Sequence, residues 1–313
     1  MNNQLTYRPY GESDIPGLLR LWEKNTEWGP LTPEQWRQWY IDTPYGPCEV
    51  AVGVDQAEEV GAQIVSTPTL LGFGEAELKA CRISAPIVDK QLRAAYKIHP
   101  ISFLYGSIKE TSIAENYSVI YTFPNSSLGS FLRRYVPSLQ IETVRCVAAP
   151  VSSWLGSEIG SLTVAPTAQF GEEYQALWQE CKRDFPLAIA VIRSPAWLQY
   201  RFGRKLALEV RGATEILLGY TIFDQNTGLL LDCLARTRED LTAVLKAALA
   251  WLARNRGELG EVKAMHTPLM APILACLGFA AHEFQFLFGR EILNPNLSLA
   301  SFDLNQWHFM PGD

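Results

Sequence analysis

Apolar residues recur along the chain at two different periods, and each change of period marks a change of element. In SDIPGLLRLW, Ile15, Leu18, Leu19 and Trp22 fall at i, i+3, i+4 and i+7, which predicts an amphipathic helix. Ser13 is a residue type that caps such a helix, and Pro16 fits its first turn. After the Trp-rich segment TPEQWRQWY, the runs CEVAVGV and VGAQIVS predict two strands joined by the acidic hairpin DQAEE. ACRISAPIV predicts a third strand. A helix opening at Pro100 buries Ile101, Leu104, Tyr105 and Ile108, and YSVIYTF predicts a strand ending at Pro124-Asn125.

The pattern restarts near residue 165. EEYQALWQECKRD places Tyr174, Leu177, Trp178 and Cys181 on one helical face, and EILLGYTIF and GLLLDCLAR predict strands around the turn DQNTG. TREDLTAVLKAALAWLARN predicts a helix whose Thr237 and Asp240 stand at capping-box spacing. LGEVKAMH, a Pro-broken helix reaching LACLGF, and the apolar strand FQFLFG follow. Each half thus runs helix, antiparallel strands, helix, strand, helix, strand, a duplicated architecture without a residue-by-residue repeat. The small, polar stretch Ala148–Thr167 predicts a linker, giving domains 1–155 and 156–313 of an α+β protein.

Composition narrows the function classes. The 313 residues are 48% hydrophobic and 19% charged, enough for two ordinary cores. A net charge of −6, from 33 acidic and 27 basic side chains, speaks against a nucleic-acid face. The six cysteines are scattered without a C-x-x-C, mostly in apolar runs, and predict buried free thiols. MNNQLTYRPYGESD lacks the charged-then-apolar order of a signal segment, and no apolar run approaches the roughly 18 residues of a membrane span. A reduced, cytoplasmic protein with no membrane partner is expected. His99, His266, His282 and His308 lack metal-ligand spacing, and nucleophile-elbow, Walker and dinucleotide motifs are absent from the sequence.

The order of elements and the phrases YRPYGESDIPGLLRLW, VIYTFPNSS, LLGYTIF, LACLGF and WHFMPGD resemble the GNAT superfamily of N-acetyltransferases in its tandem form. The resemblance implies two GNAT-like domains, each a mixed, mostly antiparallel sheet flanked by helices. It also implies an acyl-CoA-dependent N-acyltransferase, with acetyl-CoA or another acyl-CoA as cofactor and a small-molecule amine or peptide as acceptor. A non-catalytic ligand-binding or scaffold protein of the same fold is the alternative.

In that fold the pantetheine arm enters where the fourth strand splays from the fifth, and the pyrophosphate rests on a turn before the next helix. Glycine is usual in that turn because a Cβ keeps phosphate from the backbone. Here the turn falls on Tyr96-Lys97-Ile98-His99, with no glycine, and Pro100 beside it has no N–H to donate. The corresponding LARTRED in the second half lacks glycine and carries Glu239 and Asp240, so only the first domain is the candidate acyl-CoA cleft. Basic side chains of Lys90, Arg93, Lys97 and His99 are the available substitutes. The resemblance thus assigns cofactor binding to Val88, Arg93, Tyr96, Lys97, His99 and Asn125. It assigns the acid that meets the leaving thiolate to Tyr135, in SSLGSFLRRYV, and the base to Glu75, with Glu77 and Asp313 as further carboxylates. Trp36 and Trp39, at i and i+3, read as core positions, with an aromatic acceptor pocket bordered by them, Trp28 and Tyr40 as the alternative.

Overall fold

The computed structural model describes residues 5–93, 99–184, 189–297, 307–308 and 310–313. The chain opens with β1 (Thr6–Pro9), α1 (Ile15–Asn25), α2 (Pro33–Tyr40), β2 (Glu49–Val54), β3 (Val60–Phe73), β4 (Ala76–Val88) and α3 (Lys90–Arg93). It continues through α4 (Pro100–Ala114), β5 (Val119–Thr122), α5 (Ser126–Tyr135), β6 (Gln140–Pro150), β7 (Thr163–Thr167), α6 (Glu172–Asp184), β8 (Ile189–Val191) and α7 (Pro195–Phe202). The last third holds β9 (Leu206–Arg211), β10 (Leu217–Phe223), β11 (Leu230–Ala235), α8 (Arg238–Asn255), β12 (Glu261–Met265), α9 (Ala271–Cys276), β13 (Ala280–Ile292) and β14 (Trp307–His308).

Local chemistry sets most helix starts. Thr32 accepts from the Gln35 amide at 3.2 Å while the Gln35 side chain accepts from Thr32 N at 2.9 Å, closing a capping box on α2. Thr237 accepts from Asp240 N at 3.1 Å at the start of α8, as the spacing predicts. The first helix departs from expectation. A short 3₁₀ turn over Glu12–Asp14 precedes it, and its N-cap is Asp14 rather than Ser13. The Asp14 carboxylate accepts from Gly11 N and from both Arg8 Nη1 and Nη2, and the Arg8 bond leads the causes that lower its pKa. The stretch 148–167, expected to be a linker, instead holds the end of β6, a 3₁₀ turn over Val151–Trp154 and β7. Small residues and prolines are tolerated there because β7 is an edge strand, pairing only with β9 among the described strands.

The chain divides into two compact units, the first comprising Met1–Leu70, Leu78–Glu142 and Leu287–Leu299, the second Leu71–Glu77, Thr143–Phe286 and Ala300–Asp313. The sheet of the first unit runs β1-β2-β3-β4-β5-β13. The pairs β1–β2, β2–β3 and β5–β13 are antiparallel, and β4–β5 is parallel. One face is closed by α4 and α5 over Ala62, Ile64, Cys81, Ile83 and Ile120. The other, over β2 and β3, meets Ile15, Leu18, Trp36 and Tyr40 of α1 and α2. The second unit contains the antiparallel sheet β11-β10-β9-β7, the antiparallel pair β12–β6, and β8 between parallel β14 and the antiparallel end of β3. Of the six cysteines, five are buried and Cys276 is exposed, none in a disulfide. No helix among the described residues is long and apolar enough to cross a membrane.

Candidate functional site

The parallel pair at the centre of the first unit comes apart. β4 and β5 are registered at Ala80↔Val119, Cys81↔Ile120 and Arg82↔Tyr121, and no further. β4 runs on to Val88 while β5 ends at Thr122. At the fork the Thr122 hydroxyl donates to the Ile83 carbonyl at 3.0 Å, so a side chain replaces the next ladder bond. Beyond it Ala85 has φ +45°, a left-handed conformation that costs a residue with a Cβ about 1 kcal/mol or more. Its carbonyl is held by Gln63 Nε2 at 3.3 Å. This kink turns β4 away from β5 and leaves the β5-facing edge of Ile83–Val88 without a ladder partner among the described strands.

Two helix N-termini lie past the fork. α4 is capped by His99, whose Nδ1 accepts from Ile101 N at 3.4 Å, and has no acidic residue in its first turn. α5 is capped by Asn125, whose Oδ1 accepts from Leu128 N at 2.8 Å. The His99 ring lies 4.4 Å from Phe131, which lies 4.7 Å from Tyr135, so an aromatic ladder ties the start of α4 to the length of α5.

The residues expected at the cofactor are therefore distributed as follows. Val88 is buried at the last position of β4, and Arg93 closes α3. His99 and Asn125 serve as N-caps, His99 and Tyr135 share the Phe131 contact, and Tyr96 and Lys97 lie outside the described residues. Tyr135, at the end of α5, is partly exposed with the Arg134 guanidinium 5.2 Å from its ring. Glu75 is exposed in the turn between β3 and β4 and belongs to the second unit. Trp36 and Tyr40 are core residues against α1.

A polar row beside the fork was not anticipated. Arg82 stands opposite Tyr121 across β4–β5, and Tyr121 opposite Arg290 across β5–β13, so the three share one sheet face. Cys81, Ile120 and Glu291, one position along, face α4. There the Cys81 thiol is pushed up to about 11 by burial, and the Tyr105 hydroxyl donates to Glu291 at 2.6 Å beside Lys109. In the row, the Arg82 guanidinium lies 5.9 Å from the Phe123 ring, and Arg290 pairs with Glu142 at 2.5 Å. Arg82 and Arg290 interrupt the apolar runs ACRISAPIV and FLFGREI, and a charge inside a central strand was the signal available.

The second unit gathers its own buried charges. Arg193 donates to Asp232 through Nε and Nη2 at 3.4 and 3.1 Å, and through Nη2 to Asp313 at 2.8 Å. Tyr220 donates to Asp232 at 2.9 Å, and Met310 N to Asp313 at 2.8 Å. Burial opposes the charge on Arg193, but Asp232 and Asp313 hold it protonated. Burial pushes Asp313 up to about 6 and the neighbouring His308 down to about 3. Leu229, just before β11, makes an isolated parallel bridge to Lys263 of β12, where any Cβ on Gly228 (φ +69°) would strike the Glu261 carbonyl.

No protein-family model matches the sequence, and no curated protein matches it. Solved structures do. A GCN5-related N-acetyltransferase from Anabaena variabilis superposes with a TM-score of 0.68 at 13% identity, over 93% of this chain and 73% of that one. Saccharomyces cerevisiae N-myristoyltransferase with bound myristoyl-CoA gives 0.60 at 11% identity, over 95% and 83%. A tandem GNAT protein from the clavulanic acid biosynthesis pathway gives 0.55 at 13% identity, over 94% of this chain and all of its own. With the parallel pair, the fork and the mixed sheets described above, these likenesses give the chain the fold of the GNAT N-acetyltransferases, in its tandem form.

Proposed function

We propose that the first unit binds an acyl-CoA in the fork between β4 and β5 and that the protein transfers the acyl group to an amine, of a small molecule or a peptide. The observation that carries this reading is the end of pairing at Arg82↔Tyr121 while β4 continues to Val88. An unpaired strand edge is a template for an extended, amide-containing arm, which would complete the ladder as an added strand does. Val88, Asn125, Tyr96 and His99 would line that arm. Lys90, Arg93 and Lys97 would supply cations to the phosphates in place of a glycine turn, and an α4 start free of acids favours an anion there.

When bound, acyl-CoA supplies an activated thioester. Amide N–H groups on the free edge of β4 would donate to its carbonyl oxygen, where negative charge grows as the amine nitrogen adds. Solvent is the proposed acceptor of the amine proton and Tyr135 the proposed donor to the departing sulfur as the C–S bond breaks. The buried, protonated Cys81 is excluded as a nucleophile by its environment.

Calorimetric titration with acetyl-CoA and CoA, beside a Lys97→Glu variant, tests the reading. Saturable micromolar binding, weakened about tenfold or more by the charge reversal, is expected. An absence of binding up to millimolar ligand overturns it. With binding established, Tyr135→Phe is expected to lower kcat by about a hundredfold or more while leaving the acetyl-CoA Kd unchanged, read by thiol release with an amine panel.

A further inference from the structure

We infer that Phe123 limits the acyl donor to short chains, of the acetyl to butyryl kind. The inference rests on the acyl-transfer reading and names the acyl class of its donor. With the phosphates held near Lys90 and Arg93, just past the end of β4, the arm runs back along the free edge from Val88 to Ile83, about 17 Å of strand. The thioester then arrives where the Thr122 hydroxyl donates to the Ile83 carbonyl. Beyond that bond β4 and β5 are paired at Arg82↔Tyr121. An acyl chain cannot continue in the plane of the sheet and has to leave by one of its two faces.

The face toward α4 and α5 is filled. Ile83, Leu104, Ile108 and Ile120 belong to one buried cluster there. A Cβ on Gly289 would lie 2.9 Å from the Thr122 methyl, and one on Gly129 of α5 2.3 Å from Leu287 Cδ1, so even these glycines leave no room for a chain. The opposite face differs. There Phe123, the residue after β5, is half-buried, and its ring lies 5.2 Å from that of Phe288 and 6.3 Å from that of Tyr121. Phe288 and Tyr121 are 0% and 1% exposed, so Phe123 is the member of the group within reach of an acyl chain. The Arg82 guanidinium lies 5.9 Å from the same ring. A short acyl group leaving on this face ends against Phe123. A longer one has to push the ring out of a close-packed aromatic group or strip water from the Arg82 charge, and either weakens binding.

The test titrates CoA, acetyl-CoA, butyryl-CoA and octanoyl-CoA by calorimetry into the full-length protein, Phe123→Ala and Phe123→Leu. The unaltered protein is expected to bind octanoyl-CoA about tenfold or more weakly than acetyl-CoA, with butyryl-CoA within about threefold of acetyl-CoA. In Phe123→Ala the octanoyl and acetyl affinities are expected to come within about threefold of each other, with the CoA Kd unchanged. Phe123→Leu keeps an apolar side chain and decides the question if alanine disturbs the fold; there the discrimination is expected to fall by about threefold or more. Octanoyl-CoA binding as tightly as acetyl-CoA in the unaltered protein overturns the inference. Discrimination that persists undiminished in the variants that bind CoA, or loss of CoA binding in both, overturns it too. Binding of CoA and acetyl-CoA without chain-length discrimination defeats only this inference. An absence of binding by CoA and every acyl-CoA defeats the acyl-transfer reading and this inference with it.

Discussion

Each unit has a parallel contact across a strand–helix–strand connection, and the two are finished differently. In the first, β4 and β5 share three registered pairs and then part, and α4 begins without acids. In the second, the contact is an isolated bridge from Leu229, just before β11, to Lys263 of β12, and α8 begins with Glu239 and Asp240 in its first turn, where they disfavour an anion. Its buried arginine is bonded to Asp232, Asp313 and the Val191 carbonyl. A charge cluster bonded within itself holds a fold together; a strand edge without a ladder partner ahead of an acid-free helix start is suited to a ligand. Binding is therefore proposed for the first region and a structural role for the buried cluster of the second.

The largest effect that would break this comparison lies in the second unit. Arg193→Met leaves two buried carboxylates without their cation and is expected to cost about 3–5 kcal/mol in urea unfolding. A loss below about 1 kcal/mol would mean that the cluster is not structural.

Next comes acid dependence. Asp313 is raised by burial from 3.8 to about 6, so its contribution to stability is full below 3.8 and lost as pH rises through about 6. His308 is lowered by burial from 6.5 to about 3, so its contribution is full above 6.5 and lost as pH falls toward 3. Between the two carboxyl values the slopes oppose, and the pair leaves stability nearly flat. In His308→Leu the Asp313 slope is unmasked, and the variant is expected to gain about 1.4 kcal/mol per pH unit on acidification through that window. A flat profile in the variant would contradict the assignment. The smallest effect sharpens the first unit: Asn125→Ala removes the α5 cap and is expected to cost about 1 kcal/mol. A weakened acetyl-CoA Kd in the same variant would give Asn125 a ligand contact as well.

Local pattern made much of this legible. EEYQALWQECKRD is α6 from end to end, and Thr237 caps α8 on Asp240 as its spacing requires. What was illegible is set by partners distant in sequence. The fork depends on where β4 and β5 stop pairing, and the row depends on register between residues 82, 121 and 290, none of which a local window contains. Residues 71–77 and 287–299 belong to the units they do because of such pairings, so a single cut in the sequence cannot express the division. β7 hid in a stretch of small residues because an edge strand needs few apolar side chains.

The most direct test of the central claim is hydrogen–deuterium exchange with and without acetyl-CoA. Binding in the fork predicts protection of the β4 amides of Ile83, Ser84, Ala85, Ile87 and Val88 and of the start of α5, with Leu230–Ala235 of β11 unchanged. Protection confined to β11, or none in β4 at saturating ligand, would contradict it.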